Sequence, residues 1–254
     1  MDNVPYHQWG EFIRKILVKH NIKEGLVVDL GCGTGTLTEK LASFSYDMIG
    51  VDSSPQMLEV ARDKKESSRY DILYLLQDMR EFELYGSVKA VVSACDSINY
   101  ILETSELKKV FKRVDYYLDP GGLFIFDFNT EYKYKEVIGN QTIGENGEDK
   151  SFIWENYYYE EERINEIELS LFVKEENCYN SNKSRGELYR KYVEVHQQRA
   201  YSLEEIQESL EEVGLELVSA YDDYTVNEVN VKSQRIVVVA KEYKKEERVC
   251  PIIL

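Results

Sequence analysis

Three alternate glycines and two aspartates near the N-terminus have the residue types and spacing of a nucleotide site. The sequence of residues 27–35 is VVDLGCGTG, a short apolar run that ends in glycines. Glycines between a strand and a helix let backbone N–H groups and the positive helix end approach a ligand. Asp29 precedes the first glycine by two residues, and Asp52 follows Gly35 by 17. A carboxylate at the later position can accept hydrogen bonds from both hydroxyls of a ribose.

The spacing of these glycines distinguishes the loop from the nicotinamide dinucleotide fingerprint. That fingerprint is G-x-G-x-x-G, with alanine allowed at its last position. Counted from Gly31 the last position is Thr36, and counted from Gly33 it is Thr38. The loop has the pattern G-x-G-x-G instead. A nicotinamide-dependent dehydrogenase is therefore the least favoured interpretation.

The elements that must position this loop alternate between strands and helices. Apolar runs predict five strands, and amphipathic spacing or capping residues predict four helices, one before the first strand and three between strands. Alternation of this kind indicates an α/β fold with a doubly wound, parallel sheet. The predicted strands are 26–30, 46–51, 72–76, 88–94 and 123–128, and the predicted helices are 8–20, 36–43, 54–66 and 105–118.

The pattern changes after residue 130. Residues 131–200 are polar and rich in tyrosine, and they alternate in the manner of antiparallel strands with one solvated face. We predict three such strands, joined by connections at 140–147 and 177–186. The α/β pattern then resumes with a helix over 202–213 and strands over 215–221 and 235–240. The predicted organisation is a cofactor domain of residues 1–130 and 201–241, an inserted β subdomain of residues 131–200, and a tail of residues 242–254.

These motifs resemble those of the class I S-adenosylmethionine-dependent methyltransferases. VVDLGCGTG is similar to the first motif of that family, Asp52 to its ribose-binding acid, and Asp78 with Met79 to its adenine-side pair. The resemblance covers residues 22–129 and 201–240. It implies a Rossmann-like, seven-stranded mixed sheet whose last two strands form a reversed hairpin, with S-adenosylmethionine as the cofactor.

Within the family, the chain looks most similar to the bacterial deoxyaminosugar N-methyltransferases, which carry an antiparallel sheet inserted after strand five. The segments YHQW (6–9), CDSINY (95–100) and FDFN (126–129) support this closer resemblance. Such relatives usually have a further N-terminal helix with aromatic residues over the cofactor. This chain begins close to the YHQW segment, so we expect a shortened lid or a truncated start.

The resemblance assigns site residues by position. Candidate proton acceptors are Asp96, Asp127 and His196, although a surface role is more typical of this histidine. Cys95 follows a buried strand and is more typical of a small packing residue than of a nucleophile. The residues expected to bind the cofactor are Trp9, Asp29, Gly31, Cys32, Gly33, Gly35, Asp52, Ser53, Met57, Asp78, Met79, Cys95 and Asn99.

The aromatic residues of the insertion are candidates for a wall of the acceptor site. Alternation allows only one parity of a strand to face the cleft. Trp154 and Tyr158 form one candidate set, and Tyr157 and Tyr159 form the other.

The amino-acid composition limits which binding partners and which cellular compartment we expect. The 254 residues include 31 Lys and Arg against 47 Asp and Glu, a formal charge of −16, which argues against a nucleic-acid partner. Four scattered cysteines without a CxxC pair predict neither disulfides nor a zinc or other metal site, and they are typical of a cytoplasmic protein. No apolar run approaches the roughly 20 residues that cross a bilayer, so no membrane association is expected.

The sequence therefore predicts an S-adenosylmethionine-dependent methyltransferase that acts on N or O of a small molecule. The acceptor compound and the oligomeric state are not specified by these patterns. Two alternatives stay open. One is a tRNA or protein methyltransferase, and the other is a module that binds S-adenosylmethionine without catalysis.

Overall fold

Helices and strands alternate along the chain as the sequence predicts. The computed structural model describes residues 4–175 and 188–245. The helices are α1 (Tyr6–Lys19), α2 (Thr36–Ala42), α3 (Pro55–Ser67), α4 (Thr104–Tyr117) and α5 (Leu203–Val213). The strands are β1 (Gly25–Leu30), β2 (Tyr46–Asp52), β3 (Leu73–Leu76), β4 (Val88–Ser93), β5 (Leu118–Asn129), β6 (Thr142–Asn146), β7 (Lys150–Tyr159), β8 (Ile164–Lys174), β9 (Tyr189–Arg199), β10 (Leu215–Asp222) and β11 (Arg235–Glu242).

Seven strands form the main sheet in the order β10-β11-β5-β4-β1-β2-β3. Strands β1 to β5 run parallel, whereas β11 pairs antiparallel with β5, and β10 with β11. The predicted mixed, Rossmann-like sheet with a reversed final hairpin is confirmed. The chain passes from β1 to β2 on one side and later returns to β4 on the other, so the carboxyl ends of β1 and β4 border the crevice where such sheets bind ligands.

Local capping explains where the helices around the sheet begin. The Ser54 side chain accepts a hydrogen bond from the Met57 backbone N–H, and Pro55 occupies the first turn of α3. Ser202 and Glu205 form a reciprocal capping box at the start of α5. Both helices thus start where the sequence predicts.

Apolar side chains cover both faces of the main sheet. One layer packs α4 and α5 against the sheet through residues such as Phe111, Phe124 and Phe126. The opposite layer packs α1, α2 and α3 through Ile13, Leu41 and similar residues. Within the described part of the chain, no helix combines the length and apolar character needed to cross a membrane.

The inserted sheet has four strands, in the order β6-β7-β8-β9, so the prediction of three strands was wrong. Residues 140–147, predicted as a connection, contain β6, which forms an antiparallel hairpin with β7. Every residue of β6 is exposed, so an edge strand of this kind lacks the apolar alternation that marks a half-buried strand. The predicted connection at 177–186 lies outside the described residues. A π-helical turn (Lys133–Ile138) links β5 to the insertion.

Glu242, the first residue of the predicted tail, is the last residue of β11. This side chain is only 1% exposed. Its carboxylate accepts hydrogen bonds from the backbone N–H groups of Gly121 at 3.0 Å and Lys244 at 2.6 Å. A charged residue near a chain terminus is typically exposed to solvent. Here the carboxylate satisfies backbone N–H donors where β11 ends beside the start of β5.

Candidate active site

The glycine loop follows β1 in a conformation that favours glycine. Gly31, Gly33 and Gly35 have φ angles of +77°, +53° and +73°. Side chains with a Cβ rarely adopt this left-handed region, whereas glycine enters it freely. The backbone N–H of Gly31 donates to the Val51 carbonyl at 2.8 Å, which holds the loop against the end of β2.

The three glycines differ in what surrounds them. A Cβ added at Gly31 would lie 2.7 Å from the Ser97 hydroxyl, and one added at Gly35 would lie 2.3 Å from the Tyr74 hydroxyl. A Cβ added at Gly33 would meet no atom within 4 Å. Gly31 and Gly35 therefore allow close packing, whereas Gly33 presents its backbone to open space. A ligand can approach the main chain at that point.

Asp52, at the end of β2, faces the same loop. Its carboxylate accepts hydrogen bonds from the backbone N–H groups of Gly33 at 2.7 Å and Ser54 at 2.8 Å. Each carboxylate oxygen has more than one acceptor site, so hydroxyl donors of a ligand can still be bound. Ser53 and Met57 are exposed beside it.

Asp29 lies beneath the loop. It is buried, and its carboxylate accepts a hydrogen bond of 2.6 Å from the Thr38 hydroxyl. Burial raises the pKa of Asp29 to about 7, and the nearby Asp52 charge acts in the same direction. Asp29 thus supports the loop from inside the fold. Cys32 is also packed inward, where burial raises the pKa of its thiol well above the usual range.

Asp78 and Met79, both expected to bind the cofactor, follow β3, and only Met79 lies at the glycine loop. The Met79 Cε lies 3.4 Å from the position of a Cβ on Gly31. The Asp78 carboxylate instead accepts hydrogen bonds from the backbone N–H and the guanidinium of Arg80, at 2.8 and 2.9 Å. These bonds hold the pKa of Asp78 below its usual value. Asp78 is therefore engaged within its own turn.

A turn with two left-handed residues follows β4. Cys95 and Asp96 have φ angles of +62° and +52°. A left-handed backbone conformation at a residue other than glycine costs about 1–3 kcal/mol, so it persists only where surrounding contacts hold it in place. Asp127 supplies that enforcement, since its carboxylate accepts hydrogen bonds from the backbone N–H groups of Cys95 at 3.2 Å and Asp96 at 2.6 Å.

Asp127 has no exposed surface. Besides the two turn amides, it accepts hydrogen bonds from the Tyr224 hydroxyl and the Arg235 guanidinium, each at 2.7 Å. The structure therefore does not support the predicted role of Asp127 as a proton acceptor, because a substrate cannot reach it. It positions the turn.

Asn99 is likewise enclosed. Its side-chain amide donates to the carbonyl oxygens of Asn129 at 3.0 Å and Arg199 at 2.8 Å, and its oxygen accepts from the Asn129 N–H at 2.8 Å. All of these partners are backbone groups, and the side chain is completely buried. The structure thus does not bring the Asn99 side chain to a cofactor. Asn99 joins β5 to the inserted sheet.

Asp96 is partly exposed and joins two distant parts of the chain. Its carboxylate accepts hydrogen bonds from Arg235 on β11 at 2.8 Å and from Gln198 on β9 at 2.7 Å. The Tyr134 hydroxyl donates to Gln198 at 3.0 Å. Sequence reasoning missed Arg235 and Gln198. The available signal for Arg235 was a cation at the start of an otherwise apolar strand.

Trp9 of α1 covers this ion-paired group. Its ring stacks on Tyr224 with centroids 4.4 Å apart, and the Arg235 guanidinium lies 5.1 Å from the Trp9 centroid. Burial raises the pKa of the neighbouring Cys95 thiol to about 12. Of the residues predicted to bind the cofactor, Trp9 and Cys95 thus lie together at the turn after β4 that carries Asp96, called the Asp96 turn below. Asp52, at the end of β2, lies at the glycine loop instead.

His196 lies on β9 at the edge of the Tyr100 ring, with centroids 5.9 Å apart. Its Nε2 lies 3.3 Å from a Glu194 carboxylate oxygen. On β7, Tyr158 is buried and stacks on Tyr134, whereas Tyr157 and Tyr159 are 42% and 45% exposed. The face of β7 that carries Trp154 and Tyr158 is therefore turned toward the π-helical turn.

Known proteins share this architecture. The description of the family model that matches residues 27–122 is "Methyltransferase domain". YqeM of Bacillus subtilis (strain 168), named as a methyltransferase, is 34% identical over 245 residues, which are 96% of this chain and 93% of that protein. The crystal structure of an S-adenosylmethionine-dependent methyltransferase from Clostridium acetobutylicum ATCC 824 is 30% identical, with a TM-score of 0.84 over 95% of this chain and 94% of that one. The chain belongs to the S-adenosylmethionine-dependent methyltransferases.

The closer resemblance predicted from the sequence is also confirmed. A dTDP-3-amino-3,4,6-trideoxy-alpha-D-glucopyranose N,N-dimethyltransferase from Streptomyces venezuelae is 33% identical over 101 residues, 40% of this chain and 41% of that protein. The methyltransferase uses S-adenosylmethionine as its cofactor. The open space at Gly33 and the adjacent Asp52 carboxylate fit a ligand with a polar chain, a ribose and positive charge.

Alanine substitutions should separate the roles of Gly33 and Gly35. Gly35→Ala should lower the free energy of unfolding by about 2–4 kcal/mol, because a left-handed alanine is strained and its Cβ would overlap Tyr74. Gly33→Ala should cost only about 1–2 kcal/mol in stability. It should weaken binding of S-adenosylhomocysteine at least about tenfold. Urea denaturation and calorimetry measure the two effects. Wild-type affinity in Gly33→Ala would show that the ligand does not use this space.

The buried carboxyl of Asp29 should make stability depend on pH. Its folded pKa of about 7 exceeds the ordinary value of 3.8 for this carboxyl, so between these two pH values the folded state retains a proton that the unfolded state loses. Stability should fall as the pH rises through this window. Asp29→Asn should remove the effect. The urea midpoint of the variant minus that of the wild type should therefore increase from pH 4 to 7 and then level off. A constant difference, equal to that of the exposed control Asp47→Asn, would contradict this.

Proposed function

We propose that this methyltransferase transfers a methyl group to N or O of a small molecule bound between the main sheet and the inserted sheet. One observation supports this placement above others. The Ser97 hydroxyl contacts the Gly31 carbonyl at 3.4 Å, and the adjacent Asp96 accepts a hydrogen bond from Gln198 of the inserted sheet. The glycine loop and the insertion are thus joined through two consecutive residues.

The glycine loop and the strand ends beside it would hold the cofactor. In this proposal, Asp52 accepts hydrogen bonds from the ribose hydroxyls, and Met79 packs beside the loop on the adenine side. The backbone at Gly33 contacts the polar chain of the cofactor. Ser53 and Met57 border the ribose end. In the predicted division of the chain, residues 1–130 and 201–241 would form the cofactor side, and residues 131–200 would form the acceptor side, with the tail outside both.

The acceptor would contact the opposite side of the Asp96 turn. The Asp96 carboxylate is partly exposed, and each of its oxygens has an acceptor site besides the one used by Arg235 or Gln198. It can therefore accept a hydrogen bond from an amine or hydroxyl of the acceptor. Tyr100 and His196 provide an aromatic edge with polar atoms at the same mouth.

Bound S-adenosylmethionine supplies an electrophilic methyl group on a positively charged sulfur. The chain has to orient the acceptor and receive its proton. Fixed orientation of two reactants can account for about 7–11 kcal/mol of a barrier. Asp96 is suited to orientation, because Arg235 and Gln198 fix both of its oxygens and Asp127 fixes its backbone. In the proposal, Asp96 Oδ2 accepts a hydrogen bond from the N–H or O–H group of the substrate. Because His196 Nε2 faces the Glu194 carboxylate, Nδ1 of the same ring is the second group that can receive a proton at the mouth.

A small molecule fits this chain better than a nucleic acid. The formal charge of −16 opposes phosphate backbones, and the acceptor side of the cleft has a carboxylate at its centre. An acceptor with an amine or hydroxyl donor complements that carboxylate.

Replacement of Gln198 should test whether the inserted sheet positions the acceptor. A panel of small amines and alcohols is first screened for formation of S-adenosylhomocysteine with the wild-type chain. Gln198→Leu should lower kcat/KM for the best acceptor at least about tenfold, about 1.4 kcal/mol. The affinity for S-adenosylhomocysteine should change by less than about threefold, because the variant leaves the glycine loop intact.

Gln197→Leu is the matched control. Gln197 is exposed on the opposite face of the same strand and donates to Glu166. Its variant should transfer methyl groups at the wild-type rate. Equal activity of the two variants would refute the proposed acceptor position. If S-adenosylhomocysteine binds and the whole panel is inert, the non-catalytic binding module becomes the better interpretation.

A further inference from the structure

Lys133 is a half-buried cation at the carboxyl edge of the main sheet. It begins the π-helical turn that follows β5. Its Nζ donates one hydrogen bond, of 2.9 Å, to the side-chain oxygen of Asn129, a neutral group. An ammonium group has three donors, so two of them remain for another partner.

The lack of a carboxylate partner distinguishes Lys133 from two other cations near it. Acidic residues outnumber basic ones by 47 to 31. The neighbouring cations are paired, since Lys135 lies 2.6 Å from Glu160, and Arg235 contacts two aspartates at 2.7 and 2.8 Å. Among the residues that the structure describes, no carboxylate oxygen lies within 4.0 Å of the Lys133 Nζ.

The surroundings of Lys133 favour an anionic partner. Burial lowers the pKa of Lys133, and the Arg235 charge acts in the same direction, whereas Asp96 and Asp127 partly offset both effects. A negatively charged ligand beside Nζ would stabilise the ammonium form. Arg235 cannot take that role easily, because both of its terminal nitrogens are engaged by buried or half-buried carboxylates.

We propose that Lys133 binds an anionic group, a carboxylate or a phosphate, of the methyl acceptor. The inference rests on the proposed function, because it places this group in the same cleft as Asp96. Asp96 would accept a hydrogen bond from the nucleophilic amine or hydroxyl, while Lys133 holds the negative group. The acceptor class is then a small amine or alcohol that carries a carboxylate or phosphate close to the nucleophile.

Chemical labelling of lysines tests this without knowledge of the acceptor. The full chain is saturated with S-adenosylhomocysteine and treated briefly with acetic anhydride, and acetylation of each lysine is measured by peptide mass spectrometry. Sodium phosphate and sodium acetate are the two probes, in separate arms, against sodium chloride of equal ionic strength. At a probe concentration of twice its dissociation constant, Lys133 labelling should fall about threefold. Lys135, two residues further on and paired at the surface, is the internal control and should not change.

A pair of variants makes the result specific. Phosphate or acetate should raise the melting temperature of the wild-type and Lys135→Gln proteins but not that of Lys133→Gln. Protection in the phosphate arm alone assigns a phosphate group, and protection in the acetate arm alone assigns a carboxylate. If neither probe protects Lys133, or if both lysines are protected alike, the inference is wrong. Binding of S-adenosylhomocysteine, measured first on each protein, shows separately whether the proposed cofactor site holds.

Discussion

The Asp127 carboxylate is the contact on which the arrangement of both sides of the cleft depends. It has no access to water and accepts hydrogen bonds from two backbone amides, one tyrosine hydroxyl and one guanidinium. A buried carboxylate without partners is prohibitively costly, and loss of one partner of a buried ion pair costs about 3–5 kcal/mol. The donors come from the turn after β4, from the segment after β10 and from β11. The charge of Asp127 therefore fixes three separate segments relative to one another.

The consequences extend in two directions from that carboxylate. Toward the cofactor side, the left-handed turn places Ser97 against the Gly31 carbonyl of the glycine loop. Toward the acceptor side, the same turn presents Asp96 to Gln198 of the inserted sheet. Arg235 lies between the two aspartates and beneath Trp9, so α1 is tied to the same group. A methyl donor and an acceptor must meet in line, and a rigid turn between their sites is a physical means to that end.

Local patterns predicted the parts of the fold that depend on local physics. The glycine loop was recognisable because left-handed backbone requires glycine, and α3 was recognisable from Ser54 and Pro55 at its start. Strand β6 was missed because an exposed edge strand has no buried parity. Glu242 was assigned to the tail as one of the last dozen residues, whereas here it ends β11 and satisfies backbone amides.

Sequence reasoning was weaker for the site, because its contacts join residues far apart in the chain. Asn99 was predicted to bind the cofactor because it follows β4, and Asp127 was named as a candidate proton acceptor. A buried polar side chain can equally serve backbone groups, as both of these do. Arg235 and Gln198 lie more than 100 residues from Asp96 in the sequence, and no spacing rule connects them. Only the tertiary fold brings β9 and β11 to the turn after β4 that carries Asp96.

Hydrogen–deuterium exchange at the Asp96 backbone amide tests the central role of Asp127 most directly. In the wild-type chain this N–H donates to the buried carboxylate at 2.6 Å, so it should exchange slowly. Asp127→Asn keeps the shape but replaces one acceptor oxygen by a donor and removes the charge that binds Arg235. The account predicts that the Asp96 amide then exchanges at least about tenfold faster, while amides in the middle of β1 keep their protection. Equal protection of the Asp96 amide in both proteins would show that the turn holds without this carboxylate, which would contradict the account.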